Sequence, residues 1–268
     1  MDSLIPESHS KHHFKDMIMV FIIVMVVAPF LMAAVKEAGH RDIDLRGQAF
    51  AISKTIECFS CASCTEALSN LEAEKVILTA DIYTGEGTCI AINSFENKRF
   101  DCSLNSIDGA NTRGSLIEIR NSKNIIVENC VLDRKENAIT LFESTNSKIL
   151  ANKISYAGSG IEVLSSSNNE VAGNEIIKPS TVGIFVEGVS DNNLFEKNNV
   201  WYSDNYGIRI ADTRSILLNN EFCFSRESDI FSIGVQSTNF GSLNSCDSSK
   251  NWKDQDINAD GCTRKCID

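Results

Sequence analysis

The sequence of 268 residues contains no histidine and no methionine after residue 40. All four His (His9, His12, His13 and His40) and all five Met lie in the first forty residues. Ser-His-Asp and Cys-His nucleophilic sites therefore cannot be built in the rest of the chain. Copper favours imidazole, thiolate and thioether ligands, so this absence also argues against a copper site there.

Basic residues are in the minority, with 25 Lys and Arg against 36 Asp and Glu and a formal net charge of −11. Proteins that bind nucleic acid carry clustered Lys and Arg, so the balance argues against a nucleic-acid partner. The sequence also lacks any Asn followed two residues later by Ser or Thr. Its many asparagines are therefore not glycan acceptors of the usual type, which agrees with a structural use.

Residues 17–35 form a run of 19 residues without a charge, bracketed by Asp16 and Lys36. As a helix this run would span roughly 28 Å, close to the hydrocarbon core of a bilayer. The alternative is a cleaved signal peptide, which normally has a shorter apolar run and an Ala-x-Ala cleavage site, absent here. We predict a transmembrane helix at 17–35, between a polar tail at 1–16 and a partly helical linker at 36–57, with the membrane as a partner.

Ten cysteines, an even number, lie mostly near the two ends of the chain. In an oxidising compartment such cysteines pair, so we expect the bulk of the chain outside the cytoplasm, at the cell surface. Zinc bound by the closely spaced Cys58, Cys61 and Cys64 is the alternative, but no His remains downstream as a fourth ligand. The sequence does not give the connectivity. The disulfide candidates are Cys58, Cys61, Cys64, Cys89, Cys102, Cys246, Cys262 and Cys266.

Between residues 121 and 232 one short phrase is written five times: an apolar residue, an Asn three places later and another apolar residue two further on. A second phrase, Gly-Ile-x-apolar, recurs with the same period, as in Gly160 to Val163. Two signals locked to one period of about 22 residues are typical of a solenoid. The repeated asparagines are Asn129, Asn152, Asn174, Asn198 and Asn220.

Each repeat favours one coil of a parallel β-helix. In the second phrase Ile161 and Val163 point to one face of a strand, whereas Glu162 points outward. The Asn marks a bend, where an inward amide can satisfy backbone groups. A leucine-rich repeat also needs leucines two and five residues before the first apolar position, which are missing. We therefore predict an all-β chain of about 6–7 coils, with a Cys-rich cap and first strands at 58–92, repeats at 93–235 and a Cys-containing cap at 236–268.

With these features, the chain resembles right-handed parallel β-helix repeat proteins of the NosD-like class, especially membrane-anchored surface proteins of archaea. The Asn and Gly-Ile phrases, the Cys-rich entry before Val76 and the closing segment from Cys246 to Cys266 carry the resemblance. It implies the β-helix fold but not one function, because the repeat occurs in sugar-binding, sugar-cleaving and structural proteins. The namesake of the class is linked with copper delivery, which would here require reduced cysteines.

Parallel β-helices also resemble pectate lyases and polygalacturonases, so a polysaccharide-active enzyme is an alternative. The polygalacturonase-like Gly-His-Gly is absent because the repeats contain no His. A lyase would need a cluster of carboxylates beside an Arg or Lys. The best cluster consists of Asp204, Arg209 and Asp212 with Glu187, for which an ordinary solvated surface is the simpler interpretation.

Binding of sugars without cleavage requires exposed aromatic faces and a few polar groups on a rigid protein surface. The candidates are Trp201, Tyr202 and Tyr206 in one coil, with Tyr156 and Phe185 in neighbouring coils. The alternative is that some of these rings pack on the outside of the coils. We expect a non-catalytic module that binds polysaccharide or other cell-envelope components, or serves as a structural or adhesive surface component.

One calcium motif is incomplete. Asp256, Asn258 and Asp260 match ligand positions 1, 3 and 5 of a calcium loop, and Gly261 matches position 6. Position 12 is Ile267, where a bidentate acid belongs. A plain Asn/Asp/Gly turn is the alternative. Calcium therefore remains an optional cofactor, and we expect no other.

Overall fold

The computed structural model describes residues 54–211, 214–233, 238–258 and 260–267. The predicted tail, the transmembrane segment at 17–35 and most of the linker lie outside the described residues. In the described part of the chain, no helix has the length and apolarity needed to cross a membrane. Residues 54–57 of the predicted linker are not helical but belong to the first strand, β1 (Lys54–Cys58). Thr55 and Ile56 are β-branched and lie in register with β2, which favours a strand.

One helix, α1 (Cys61–Ser69), and 22 strands make up the regular structure of the described residues. After β1 the strands are β2 (Ala73–Leu78), β3 (Ile82–Tyr83), β4 (Ile90–Asn93), β5 (Arg99–Asp101), β6 (Ser106–Arg120), β7 (Ile126–Glu128), β8 (Val131–Phe142), β9 (Lys148–Leu150), β10 (Lys153–Ser155), β11 (Ser159–Leu164), β12 (Glu170–Ala172), β13 (Glu175–Ile177), β14 (Val182–Glu187), β15 (Leu194–Glu196), β16 (Asn199–Trp201), β17 (Tyr206–Ile210), β18 (Ile216–Leu218), β19 (Glu221–Cys223), β20 (Ser228–Ser232), β21 (Phe240–Ser242) and β22 (Ser249–Lys250).

The strands stack as a parallel β-helix. A nine-stranded sheet runs β1-β2-β5-β7-β9-β12-β15-β18-β21, and a 13-stranded sheet takes the remaining strands. Successive coils pair in parallel, for example β11 with β14 and β14 with β17. The solenoid has about nine turns rather than the 6–7 predicted. The sequence count was too low because the outer coils lack the Asn phrase but still pair, as β1 and β21 do.

The inner wall consists of the apolar residues that the two phrases predict. Ile161, Val163 and Phe195 are fully buried. The glycine of the second phrase is needed for close packing of the coils. A Cβ on Gly160 would lie 2.5 Å from the carbonyl oxygen of Gly183, and a Cβ on Gly183 would lie 2.5 Å from that of Gly207. A larger residue would therefore push neighbouring coils apart.

The asparagine ladder is confirmed in four of its five predicted positions. Asn152, Asn174, Asn198 and Asn220 are buried, and each backbone N–H donates to the side-chain oxygen one coil further on. Asn129 was assigned wrongly. It is partly exposed, and its amide donates to Asp101.

The true equivalent of Asn129 is the next residue, Cys130, whose N–H donates to Asn152. The error was one of register, because the step from Asn152 back to the ladder position is 22 residues and not 23. At the other end the ladder continues to Asn244 and stops at Asp254. A second polar ladder of Ser122, Ser144, Ser166 and Ser190, which the sequence did not reveal, runs through another corner.

All ten cysteines form disulfides, including Cys130 and Cys223, which the sequence did not single out. The pairing leaves no thiolate for zinc or copper, so the zinc alternative for Cys58, Cys61 and Cys64 is wrong. At the first coils two bonds fix α1, and at the last coils two bonds fix the chain end. The pairs are Cys58–Cys64, Cys61–Cys89, Cys102–Cys130, Cys223–Cys266 and Cys246–Cys262.

The predicted C-terminal cap at 236–268 is partly a continuation of the solenoid, since β21 and β22 lie in it. Trp252 is buried and covers the last coil. A Cβ on Gly241 would overlap its indole ring, so only glycine fits below it. The cap therefore closes the apolar interior, as a solenoid end requires.

Candidate functional site

The outward residue of the second phrase forms a straight row on the 13-stranded sheet. In register along the coils the row reads Glu118, Thr140, Glu162, Phe185, Arg209 and Phe231. A cleft of about 430 Å³, here called cleft 1, opens over the later half of this row. It is lined by Ser159, Glu162, Phe185, Tyr206, Arg209 and Phe231, among others.

One wall of cleft 1 is aromatic with a cation at its centre. Arg209 lies one coil from Phe185 on one side and one coil from Phe231 on the other. Its guanidinium carbon is 4.9 Å from the centroid of the Phe185 ring. The rings of Tyr206 and Phe231 are 5.2 Å apart between centroids and tilted by 36°. The wall therefore offers apolar ring faces beside a fixed positive charge.

Glu162 is the acidic group of cleft 1. Burial raises the pKa of this carboxyl above its usual value, and the charge of Glu136 acts in the same direction. Hydrogen bonds from Ser159 and Thr140 oppose the rise in pKa, with 3.2 Å between the Thr140 hydroxyl and Oε2. The carboxyl can therefore accept hydrogen bonds when ionised and donate one when protonated.

A second cleft of about 540 Å³, here called cleft 2, lies beside the turns that precede the outer row. Its lining includes Tyr156, Lys178, Pro179, Tyr202 and Asp204. Tyr156 and Tyr202 keep 54% and 52% of their surface exposed. The Lys178 amine is 5.8 Å from the Tyr156 ring centroid, and Tyr202 stacks on Phe224 at 5.2 Å.

The five aromatic residues singled out from the sequence do not form one patch. Phe185 and Tyr206 line cleft 1, whereas Tyr156 and Tyr202 line cleft 2. Trp201 lines neither cleft; it is half-buried, and its Nε1 donates to Glu221 at 2.9 Å. For Trp201 the alternative of packing on the outside of the coil is the better description.

Two of the four weak catalytic candidates line different clefts. Arg209 lines cleft 1, and Asp204 lines cleft 2. Glu187 is exposed at the end of β14, in register with Leu164. Asp212 lies outside the described residues. Neither cleft therefore brings Asp204, Arg209 and Glu187 together.

The three calcium candidates lie in the C-terminal cap. Asp256 accepts a hydrogen bond from the Thr263 hydroxyl at 2.6 Å and another from the Leu243 N–H. The Thr263 bond lowers the pKa of Asp256 below its usual value. Asn258 and Asp260 are exposed. Within residues 54–267, leaving aside the undescribed positions, no three His, Cys, Asp or Glu side chains come together as a metal site.

Sequence reasoning missed Lys178, Phe224 and the role of Glu162. Lys178 and Phe224 stand four residues after the ladder residues Asn174 and Asn220, a spacing that also yields Tyr156 and Tyr202. That spacing was the signal that could have found them. Glu162 was seen as an outward acid, but its burial depends on residues of neighbouring coils.

The chain is similar to several solved structures. An alginate lyase from Paenibacillus sp. str. FPU-7 is 15% identical, with a TM-score of 0.52, over 72% of this chain and 76% of that one. Two mutant forms of the periplasmic alginate epimerase AlgG are 12% and 18% identical, with TM-scores of 0.44 and 0.45. The aligned parts cover 65% and 79% of this chain but only about half of the epimerase, 50% and 53%.

The likeness to the alginate lyase concerns the fold alone, because the two sequences are only 15% identical. A search of curated proteins found no match. The family model of the right handed beta helix region matches residues 68–222, more than half of the chain. This range contains the described linings of both clefts except for Phe231 of cleft 1. The chain therefore belongs to the right-handed β-helix family.

Proposed function

We propose that this protein is a non-catalytic polysaccharide-binding module. The observation that carries the proposal is cleft 1, where Phe185, Tyr206 and Phe231 present ring faces beside Arg209 and Glu162. Pyranose rings have apolar faces that stack on aromatic side chains, and their hydroxyls bond to charged and amide groups. A stacked parallel sheet holds these side chains on a rigid wall, so little conformational entropy is lost on binding.

The location that fits this function is the cell surface, with residues 17–35 as the anchor and cell-envelope components as neighbours. Five disulfides support an oxidising compartment, because such bonds are rare in the cytosol. We place the protein with membrane-anchored NosD-like surface proteins. A copper role is disfavoured, because every cysteine is paired and the described residues contain neither His nor Met.

A polysaccharide-active enzyme is the second candidate, favoured by one observation. Glu162 is a carboxyl with a raised pKa in the same cleft as Arg209 and Tyr206, and such groups are typical of acid–base catalysts. Glycoside hydrolysis needs a second carboxyl across the cleft. Glu118 lies two coils from Glu162 and is paired with Arg120. Among the described residues of cleft 1, Glu162 has no such second carboxyl opposite it. Binding without cleavage does not need one, so it is the first candidate.

Affinity electrophoresis of the full-length protein tests the proposal. Native gels are cast with sodium alginate, polygalacturonate or hydroxyethyl cellulose, and mobility is compared with a gel lacking polysaccharide. We expect at least one polymer to retard the wild type. The Tyr206→Ala/Phe231→Ala variant should bind at least about tenfold more weakly, a loss of about 1.4 kcal/mol.

Tyr83→Ala is the matched control, because Tyr83 is 80% exposed and does not line either cleft. Its mobility should equal that of the wild type. If no polymer retards the wild type, or if the double variant is retarded equally, the proposal fails. Shortening of the polymer during incubation would favour the enzyme instead.

A further inference from the structure

One row of the solenoid carries large side chains where the backbone is left-handed. Tyr156, Lys178, Tyr202 and Phe224 occupy equivalent corners of four successive coils. Their φ angles are 53°, 51°, 59° and 60°. For an L-residue this conformation brings Cβ close to the following carbonyl oxygen, so it is disfavoured for all residues except Gly and, to a lesser degree, Asn and Asp.

Just over half of the other left-handed positions among the described residues carry Asn or Gly. Asn121, Asn146, Asn168, Asn219 and Gly173 are examples. The row of Tyr156, Lys178, Tyr202 and Phe224 does not follow this preference, and neither do positions such as Leu104, Glu143 and Lys197. In the row, Tyr156 and Tyr202 keep about half of their surface exposed. The row differs from those other positions because three of its members, Tyr156, Lys178 and Tyr202, line one cleft together.

The spacing of the row suits an extended polymer. Neighbouring coils are about 4.8 Å apart, so the backbones at Tyr156 and Tyr202 are separated by roughly 10 Å along the solenoid, with Lys178 between them. Cleft 2 lies over this row, and Asp204 and Ser180 also line it. Two ring faces, a cation and hydrogen-bonding groups form the same combination as in cleft 1.

The two clefts are separated by the turns between the strands. Ser180 and Asp204 line cleft 2, whereas the next residues in the chain, Thr181 and Asn205, line cleft 1. The described linings share no residue. A ligand in one cleft therefore does not need the aromatic residues of the other.

We propose that cleft 2 is a second, independent sugar-stacking site and that the module is bivalent for polysaccharide chains. The ligand class rests on the proposed function, whereas the existence of a second site rests on the exposed rings of Tyr156 and Tyr202 that line cleft 2. Two sites on one rigid body raise the apparent affinity for a polymer without new contacts at either site.

The test uses the full-length protein with Tyr156→Asn and Tyr202→Asn combined. Asn is tolerated in the left-handed region, so the midpoint of thermal unfolding should stay the same or rise. In gels containing sodium alginate, polygalacturonate or hydroxyethyl cellulose, retardation should fall by at least threefold. The cleft 1 variant, Tyr206→Ala/Phe231→Ala, should keep part of its retardation, and the four changes together should remove it.

Leu104→Asn is the matched control. Leu104 is also left-handed, with φ of 67°, is 67% exposed and lies outside both clefts. Its substitution should relieve the same strain and leave retardation unchanged.

Three results would overturn the second site: wild-type retardation of the Tyr156/Tyr202 variant, a lowered unfolding midpoint in that variant, or complete loss of binding in the cleft 1 variant alone. If only the Tyr156/Tyr202 variant loses binding, cleft 2 stands and cleft 1 falls. Absence of retardation in the wild type overturns both.

Discussion

At the ladder corner of its coil, the side chain of Asn198 makes four hydrogen bonds. Its oxygen accepts from the backbone N–H and the side-chain amide of Asn174, and its own amide donates to Val171 O and to Asn220 Oδ1. The side chain is completely buried. No water reaches these groups, so each lost partner leaves a desolvated donor or acceptor.

We expect Asn198→Ala to lower the free energy of unfolding by about 3 kcal/mol, since an unsatisfied buried group costs roughly 1–3 kcal/mol. Asn199→Ala, at the next residue, is the control, because Asn199 points outward from β16 and is half-exposed. Urea denaturation followed by circular dichroism measures both variants. Equal destabilisation of the two would contradict the ladder account.

The pH dependence of stability should report on Glu162. Its folded-state pKa is raised, so its contribution to stability is fully present below the unfolded pKa and is lost as the pH rises through the folded pKa. Glu162→Gln removes the buried charge. The variant should therefore be more stable than the wild type at pH 7, and the difference should vanish below about pH 4. A difference that does not change with pH in urea unfolding would show that burial of the charge is not the cause.

At the scale of elements, the C-terminal cap depends on one carboxylate. Asp254 is fully buried and ends the asparagine ladder by accepting from the N–H and amide of Asn244. It also accepts from the Trp252 indole and from the N–H and hydroxyl of Thr263. A carboxylate fits this place because both of its oxygens face donors only.

Asp254→Asn replaces one of those acceptors by a donor and should destabilise the cap by about 2 kcal/mol, the desolvation penalty of an unmatched buried group. Limited proteolysis should then cut first within the last coil. The control is Asp260→Asn, at an exposed position of the same cap. Unchanged protease resistance in Asp254→Asn would mean that the disulfides alone hold the cap.

Strands and ladders could be predicted from the sequence wherever the repeat is regular. Ile161, Val163 and the four confirmed asparagines were predictable, because each coil repeats the same local pattern. Alternate residues of a strand point inward, and an Asn follows where the chain bends. The outer coils were not, since their pairing depends on contacts between residues far apart in sequence. Tyr156 and Tyr202 were named from the sequence, but the cleft that joins them was not predicted, because Lys178 stands between them in the stack of coils and the row has no common residue type.

Across the nine turns of the solenoid, inward residues stabilise the fold, and outward residues are available for binding. Inward positions are occupied by aliphatic residues, by the glycine of close coil contact and by hydrogen-bonding ladders, and they leave little freedom for change. Outward positions vary from coil to coil. Both clefts lie in the same few coils, on two sides of one line of turns. A ligand surface can therefore evolve on this wall without disturbing the interior.

The most direct test of this separation is affinity electrophoresis of the full-length Tyr156→Asn/Tyr202→Asn/Tyr206→Ala/Phe231→Ala variant in the polysaccharide gel that retards the wild type most. The account predicts that the variant unfolds at a temperature close to that of the wild type and migrates as if no polysaccharide were present. Retardation equal to that of the wild type would contradict it.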